Sequence, residues 1–305
     1  MTSAIHTRGD TSSLWRSRYG TRRAWLFLLP PLVLMIACVA WPTVFLVWLS
    51  TQKWDGLGSM TFVGLNNFAR VFADDRFWIA IQNNIKWSVA SAIIPPLIGL
   101  ALAILLSRTR IRGRGAFRIV YFVPQIVASA IVAVIWRWIY APEGPVNAVL
   151  GALGVENPPL WLADADVALM AVFIAYAWVT FGFSMLIFET AIRSIDEELF
   201  DAARVDGATF LGEVRHILLP GIRPAIATVL IVSTIWSFQI FDLIYLTTAG
   251  GPGDATQVLS IGIYSSMFSA RDVGRGAAMA LILLGVIVTL ASLVAFGRSR
   301  REGRP

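Results

Sequence analysis

The sequence predicts an all-α integral membrane protein with six transmembrane helices and a cytoplasmic helical loop between the fourth and fifth helices. The first observation is the composition: 57% of the 305 residues are hydrophobic and only 14% are charged, whereas soluble domains carry about 25% charged residues. The second is that the apolar residues are concentrated in long runs. Because lipid offers a bare backbone amide no hydrogen-bond partner, each run is expected to be a helix.

Six runs are long enough to cross a membrane, which takes about 20 residues of helix with a range of about 17–25. The first contains no charged residue, and the fifth contains a single acid, Asp242. We interpret the first run as a retained span, because it exceeds the roughly 7–15 apolar residues of a signal peptide and no small-x-small cleavage site follows it. The six runs are 24–50, 87–107, 119–136, 167–188, 224–246 and 276–297.

These runs divide the chain into four segments. A cytoplasmic N-terminal tail (1–23) precedes a segment with the first span and an extracytoplasmic loop (24–84). The core (85–297) is expected to hold five helices and a loop rich in charge (190–222), which we call the charged loop. A cytoplasmic C-terminal tail (298–305) follows.

The distribution of basic residues predicts the orientation of the spans. Eighteen of the 25 Lys and Arg residues lie in the two tails, in the loop between spans 2 and 3 and in the charged loop together with the adjacent Arg223, whereas six lie in the intervening loops. The positive-inside rule then places both termini and the charged loop in the cytoplasm. The net charge of +6 is thereby explained by topology and does not indicate a nucleic-acid partner.

The sequence offers no pattern for catalysis or for binding a metal or cofactor. His6 and His216 are the only histidines and lie far apart, and the only cysteine, Cys38, lies within an apolar run. A phosphate-binding loop needs the pattern Gly-x-x-x-x-Gly-Lys-Ser/Thr. Lys53 and Lys86 are the only lysines, and neither lies in such a pattern. We therefore expect a chain that is not an enzyme and that binds no metal and no ATP itself.

The charged loop is predicted to form a helix, a turn and a second helix. Ser194 followed three residues later by Glu197 is a capping-box pattern, which indicates a helix start. Gly207 is the expected stop, because glycine takes the left-handed conformation at a helix end. A second helix is expected over 209–218, ended by Pro220. Small and charged side chains on the first helix suit a close contact with a partner, and Leu199, Ile217 and Leu219 are expected to anchor the loop on the spans.

The spacing of this loop resembles the EAA motif of the permease subunits of binding-protein-dependent ABC importers. That motif is Glu-Ala-Ala, three residues, Gly, nine residues and Ile-x-Leu-Pro, and the chain departs from it only in having Asp201 in place of Glu. The stretches GLNNFARVF, VDGAT, ILLPGIRP and FDLIYLTTAGGPGDATQVLSIGIY are similar to the carbohydrate-uptake branch, which includes maltose and glycerol phosphate permeases. The resemblance implies that the loop contacts an ATPase through Glu198, Asp201, Ala202, Ala203, Arg204, Asp206, Gly207, Ile217, Leu219 and Pro220.

The resemblance also implies a function and a set of partners. The chain is expected to be the permease subunit of an ATP-driven importer in the bacterial inner membrane and to form the pathway for a sugar or sugar-like solute. Expected partners are membrane lipid, a second homologous permease, two ATP-binding cassette subunits that hold ATP and Mg, and an extracytoplasmic substrate-binding protein. The alternatives are an importer of glycerol phosphate-type solutes and, in a different class, an ion-coupled secondary transporter.

Polar side chains of the fourth and fifth spans are candidates for the solute pathway. In similar carbohydrate permeases the substrate contacts come from these two spans, and residues four apart share a helix face. The alternative is that these side chains only bind neighbouring helices together. Asp242 either pairs with Arg137 or shapes the mouth of the pathway. The candidates are Tyr176, Trp178, Thr180, Ser184, Ser233, Trp236, Ser237, Gln239 and Asp242.

Overall fold

The computed structural model describes residues 21–108 and 113–302, and in these ranges the chain is mostly helical. Two short strands, β1 (Gln52–Lys53) and β2 (Thr61–Phe62), form an antiparallel pair in which Gln52 lies opposite Phe62. The helices are α1 (Thr21–Met35), α2 (Trp41–Ser50), α3 (Asn66–Phe72), α4 (Asp75–Arg108), α5 (Arg114–Ile126), α6 (Ser129–Ile139), α7 (Pro145–Ala152), α8 (Ala168–Arg193), α9 (Glu197–Val205), α10 (Phe210–Glu213), α11 (Leu219–Gly221), α12 (Arg223–Phe238), α13 (Asp242–Thr247), α14 (Leu259–Tyr264) and α15 (Val273–Glu302). Three π-helical turns lie at Ile36–Ala40, Val214–Leu218 and Ser265–Ser269.

Four helical stretches in the described ranges are long and apolar enough to cross a membrane: Phe27–Ser50, Asp75–Ser107, Ala168–Arg193 and Val273–Leu290. Two further helix pairs meet the same criteria but are sharply bent. The α5 and α6 pair is bent by 99°, and the α10 to α12 stretch is bent by 68°. The described ranges therefore hold four helices that could cross a membrane, or up to six if each bent pair counts as one span.

The prediction of one continuous third helix over 119–136 is wrong. The chain leaves the helical conformation at Val127 and Ala128, which are both extended, with ψ of 132° and 137°. Pro124 lies in the last turn before this break and has no amide hydrogen to donate, which weakens that turn. The helix resumes at Ser129.

The prediction of one continuous fifth helix over 224–246 is also wrong. Helix α12 ends at Phe238, and α13 begins at Asp242. The segment between them contains neither glycine nor proline. A distant residue stabilises the break instead: the hydroxyl of Ser260 donates a hydrogen bond to the Ile240 carbonyl, an acceptor that a helix end would otherwise leave without a partner.

The chain forms two compact units, with the boundary between Leu49 and Ser50. Within the second unit, the loop that was predicted over 51–84 carries the two strands and α3. The Nδ2 atom of the buried Asn67 donates to the carbonyls of Ser50 and Gln52, each at 2.8 Å, and so fixes α3 against β1. Of the predicted tails, residues 1–20 and 303–305 lie outside the described residues, and so do residues 109–112 of the basic loop between spans 2 and 3.

Helix α8 lies at the centre of the second unit, and glycines allow its neighbours to approach closely. A Cβ atom on Gly99 of α4 would lie 2.6 Å from the backbone nitrogen of Met185. A Cβ atom on Gly182 would collide with the carbonyl oxygen of Tyr121 in α5. Both glycines are therefore needed for the contact of α8 with α4 and α5.

Replacing Gly182 with alanine is expected to lower the melting temperature of the purified protein. The added methyl group must push α5 away from α8, and overpacking of this kind costs about 1–3 kcal/mol. Gly151→Ala in α7 is the matched control, because a Cβ atom there would meet nothing within 4 Å. Equal melting temperatures for the two variants in detergent would show that the α5–α8 contact tolerates the methyl group.

Candidate functional site

The first helix of the charged loop begins two residues later than the capping-box pattern indicates, with Asp196 and not Ser194 as the capping residue. The Asp196 side chain, not that of Ser194, caps α9 by accepting a hydrogen bond from the Glu198 amide at 3.1 Å. The Ser194 hydroxyl instead donates to the Ala191 carbonyl at 2.7 Å. An aspartate accepts from the backbone as well as a serine does, and the Asp196 carboxylate also favours a helix N-terminus electrostatically.

The predicted stop and second helix are confirmed in outline. Helix α9 ends at Val205, and Gly207 takes the left-handed conformation with φ of 80°. The Thr209 hydroxyl oxygen then accepts from the Gly212 amide at 3.3 Å and caps α10. The helical path runs on past Pro220 to Gly221 because Pro220 lies in the first turn of α11, where its missing amide hydrogen does no harm.

Phe200 anchors the charged loop to the spans. Its side chain is only 2% exposed and packs in a cluster with Phe188 and Ile192 of α8 and with Leu218. Ile217 and Leu219 pack against the same cluster, as predicted. The prediction for Leu199 is wrong, because this residue is 55% exposed: neighbouring residues on a helix point about 100° apart, and Phe200 takes the inward position.

Arg204 joins the two helices of the charged loop. Its Nη1 atom lies 2.9 Å from Asp201 Oδ1 on the same helix, and its Nε atom lies 2.9 Å from Glu213 Oε1 on the next. Glu213 is buried, and its hydrogen bond raises the pKa of the Arg204 guanidinium. Asp201 is 67% exposed, so its carboxylate holds Arg204 on one side and is open to solvent on the other.

The rest of the predicted contact residues lie on or beside the exposed side of this loop. Glu198, Ala202 and Asp206 are exposed, and Ala203 is half-buried. Four large apolar side chains lie exposed in the same loop, namely Leu199, Val205, Phe210 and Leu211. The loop thus presents acids and apolar groups together, a combination suited to a protein surface.

A cavity of about 430 Å³ lies where the two helix breaks meet, and we call it the helix-break cavity. Five of the nine sequence-predicted pathway residues line it: Tyr176, Thr180, Trp236, Gln239 and Asp242. The remaining lining residues are Val127, Ser129, Val132, Val179, Ile240, Phe241 and Leu243.

The chemistry of this cavity is that of a site for a polar, uncharged or cationic molecule. Hydroxyl and amide groups offer donors and acceptors, and the Trp236 ring, which packs on Phe183 with centroids 4.9 Å apart, offers an aromatic surface. Asp242 supplies a carboxylate, and neither lysine nor arginine is among the described residues that line the cavity.

The other four candidates lie outside the cavity lining and in helix contacts. Trp178 packs edge-on against Trp136, with ring centroids 6.0 Å apart. Ser184 is buried and its Cβ atom faces Gly99 of α4. Ser233 and Ser237 are buried as well, and the Ser237 hydroxyl donates to the Thr234 carbonyl of its own helix at 2.6 Å.

Asp242 and Arg137 are both exposed. Among the described residues, these two side chains do not form an ion pair with each other. Asp242 instead lies in the first turn of α13, where its negative charge favours the helix N-terminus. Asp242 thus lines the helix-break cavity, and its role in shaping the mouth of the pathway stays a prediction.

Three functional features have only weak signals in the sequence. Ser129 enters the cavity because of the break before it, and Pro124 is the only local indication of that break. The break before Asp242 has no glycine or proline signal. The buried Glu189 of α8, which pairs with Arg118 of α5 and with Arg193, is an acid near the end of an apolar run and was outside the predicted set.

Comparison with known proteins identifies the family. Residues 96–301 match the model of the family described as "Binding-protein-dependent transport system inner membrane component". The chain is 30% identical over 278 residues to a probable starch degradation products transport system permease protein, AmyD, of Thermoanaerobacterium thermosulfurigenes, covering 91% of this chain and 94% of that one. It is also 30% identical to the trehalose/maltose transport system permease protein MalF of Thermococcus litoralis, with the same coverage of 91% and 94%.

The fold has a solved counterpart. A chain of a bacterial ABC transporter involved in the import of the acidic polysaccharide alginate superposes with a TM-score of 0.82 at 23% identity. The match covers 96% of this chain and all of that chain. With the family model covering two thirds of the sequence, this protein belongs to the inner membrane components of binding-protein-dependent transport systems.

Proposed function

We propose that this chain is the membrane-spanning permease subunit of an ATP-driven importer and that it forms part of the pathway for a sugar or sugar-like solute. The observation that carries the proposal is the helix-break cavity, where Thr180 of the continuous helix α8 meets Trp236 and Gln239 of the interrupted α12–α13 stretch. Hydroxyl and amide groups match the hydrogen-bonding edge of a sugar, and an aromatic ring matches its apolar face. The starch and trehalose/maltose relatives favour the same solute class.

In the proposed arrangement the chain crosses the membrane six times, and the α5–α6 and α12–α13 stretches each form one interrupted span. Both termini and the charged loop face the cytoplasm, as the basic residues of the sequence indicate. The breaks before Ser129 and before Asp242 are tolerated within the membrane because they line a cavity and packed protein instead of lipid.

The charged loop is proposed to bind one of two ATP-binding cassette subunits, which hold ATP and Mg. A helix set into a groove of a partner is a common mode of recognition, and α9 with its exposed acid and alanines suits it. Movement of the ATPase would reach α8 through Phe200, because this side chain packs on Phe188 and Ile192. A second homologous permease would complete the pathway, and an extracytoplasmic binding protein would deliver the solute.

The alternative of a glycerol phosphate-type solute is disfavoured by the charge in the cavity. A phosphate would have to pass the Asp242 carboxylate without a lysine or arginine among the described lining residues to compensate. Like charges brought together in a poorly hydrated site repel each other strongly. A neutral solute meets no such barrier.

Replacing Trp236 with alanine is expected to reduce uptake of a labelled neutral oligosaccharide such as maltotriose. Aromatic packing contributes about 0.5–1.5 kcal/mol, so uptake at limiting solute should fall by up to about tenfold. The assay uses cells that carry all partner subunits and lack the chromosomal copy of this chain. Trp138→Ala is the matched control, because Trp138 is exposed and lies outside the cavity lining.

The outcome of this assay separates the competing functions. Uptake that resists removal of ATP but stops when the ion gradient is collapsed would establish an ion-coupled secondary transporter. Competition by glycerol phosphate but not by neutral sugars would establish the phosphate alternative. Unchanged uptake in the Trp236→Ala variant would remove the helix-break cavity from the pathway.

A further inference from the structure

A second concavity, of about 570 Å³, opens between α4 and α8 and is lined by Trp87, and we call it the lateral groove. Its walls are apolar over most of their length and include Ile94, Leu169, Met170 and Phe173. At one end, Asn83 Nδ2 donates to the Ala255 carbonyl at 3.0 Å, and this hydrogen bond ties α4 to the loop before α14. The groove is therefore a built feature of the packed unit and is closed at that end.

Two opposite charges stand at the rim of the lateral groove. Lys86 lines it from α4, and Asp166 lines it from the segment just before α8. Both side chains are exposed, and within the described ranges neither has an ion-pair partner, including each other. The chain thus presents one free cation and one free anion beside the same apolar surface.

Both charges are expected at the boundary of the membrane. Lys86 immediately precedes the apolar stretch of α4 that begins at Trp87, and Asp166 precedes Ala168, the first residue of α8. Charged side chains next to apolar spans are expected at the level of the lipid headgroups. The apolar walls then extend from the headgroup level toward the hydrocarbon.

We propose that the lateral groove binds one phospholipid with an amine-bearing zwitterionic headgroup. The phosphate of such a lipid would lie against the Lys86 ammonium, the headgroup ammonium against the Asp166 carboxylate, and one acyl chain along Leu169, Met170 and Phe173. A lipid with only a phosphate would leave Asp166 facing a like charge. The combination of both charges with an apolar wall is what selects a phosphoethanolamine headgroup.

Neither apolar nor soluble occupants satisfy the same set of groups. The apolar segment from Ala24 to Ser50 contains no charged residue. As an occupant of the groove it would therefore leave the charges of Lys86 and Asp166 uncompensated. A soluble protein would have to reach the apolar walls below the headgroup level.

A lipid in the lateral groove would affect the solute pathway through the side chain of Trp87. Trp87 lines the groove, is buried, and packs on both Phe173 and Tyr176 with ring centroids 5.2 Å apart. Tyr176 lines the helix-break cavity. A lipid that fills the groove would hold Trp87 in place and so support the wall of the cavity.

The test is native mass spectrometry of the full-length chain, purified with its partner subunits after exchange into membranes of equal phosphatidylethanolamine and phosphatidylglycerol. The wild-type complex is expected to retain one phosphatidylethanolamine, about tenfold over phosphatidylglycerol, which corresponds to about 1.4 kcal/mol. Lys86→Ala should lose both lipids, because each needs the cation. Asp166→Asn should retain a lipid but lose the preference, because only the ammonium group needs the acid.

The controls are the other lysine and an exposed acid of the same outer segment. Lys53 and Glu156 lie outside the groove lining. The Lys53→Ala and Glu156→Gln variants should therefore retain one lipid and the wild-type preference for phosphatidylethanolamine. Because only intact complexes are counted, a variant that fails to fold is absent from the spectrum and cannot imitate lipid loss. A wild-type complex without retained lipid, a preference for phosphatidylglycerol, or wild-type retention by Lys86→Ala would each overturn the proposal.

Discussion

Replacing Asp201 with lysine is expected to abolish solute uptake while the chain remains inserted and folded. The variant reverses the charge on the exposed side of α9, so a basic site on an ATPase would be repelled instead of attracted. The local fold should survive because Arg204 keeps its 2.9 Å contact with the buried Glu213. Uptake in whole cells and the amount of chain in isolated membranes are the two measurements.

Two matched variants make this prediction specific. Asp201→Glu keeps the carboxylate and restores the residue of the EAA pattern, so uptake should stay near the wild-type level. Glu143→Lys introduces the same charge change at an exposed acid outside the charged loop, and it should have little effect. Normal uptake in the Asp201→Lys variant would contradict the proposed role of the charged loop.

Replacing Arg118 with methionine is expected to destabilise the protein strongly. Glu189 is only 1% exposed, and Arg118 of α5 and Arg193 of its own helix are its ion-pair partners. Its Oε2 atom has no hydrogen-bond partner among the described residues, so the carboxylate depends on the contacts of Oε1. The variant leaves the buried carboxylate with only the half-exposed Arg193, and a buried polar group that loses its partner costs about 1–3 kcal/mol.

A double-mutant cycle measured by thermal unfolding in detergent tests this assignment. The Arg118→Met, Glu189→Leu double variant should recover much of the lost stability, since apolar replacement of a buried pair is often close to neutral. Arg193→Ala is the comparison variant: this arginine is half-exposed and 3.1 Å from the carboxylate, so a loss of below about 1 kcal/mol is expected. Additive effects of Arg118→Met and Glu189→Leu would show that the two residues do not act as a pair.

The helical class, the apolar runs and the charged loop could be predicted from the sequence because each depends on local properties. Hydrophobic runs of sufficient length must satisfy their own backbone amides in lipid, and the turn at Gly207 needs a residue that tolerates a positive φ. The regular spacing from Asp201 to Pro220 carries the resemblance to the family. The match of residues 96–301 to the family model confirms that resemblance. Tyr176 and Thr180 both line the cavity because residues four apart share a helix face, whereas Ser233 and Ser237 have the same spacing and lie outside its lining.

The helix breaks, the anchor of the charged loop and the buried ion pair were decided by tertiary structure. The break before Asp242 is stabilised by the Ser260 hydroxyl, about twenty residues away in sequence, and no local residue indicates it. Whether Leu199 or Phe200 faces inward depends on where α8 lies. In general, the sequence alone determined which segments leave water, because that depends on the transfer free energy of each run. Which polar groups face a cavity depends on hydrogen bonds and packing between distant helices, and only the folded chain determines these.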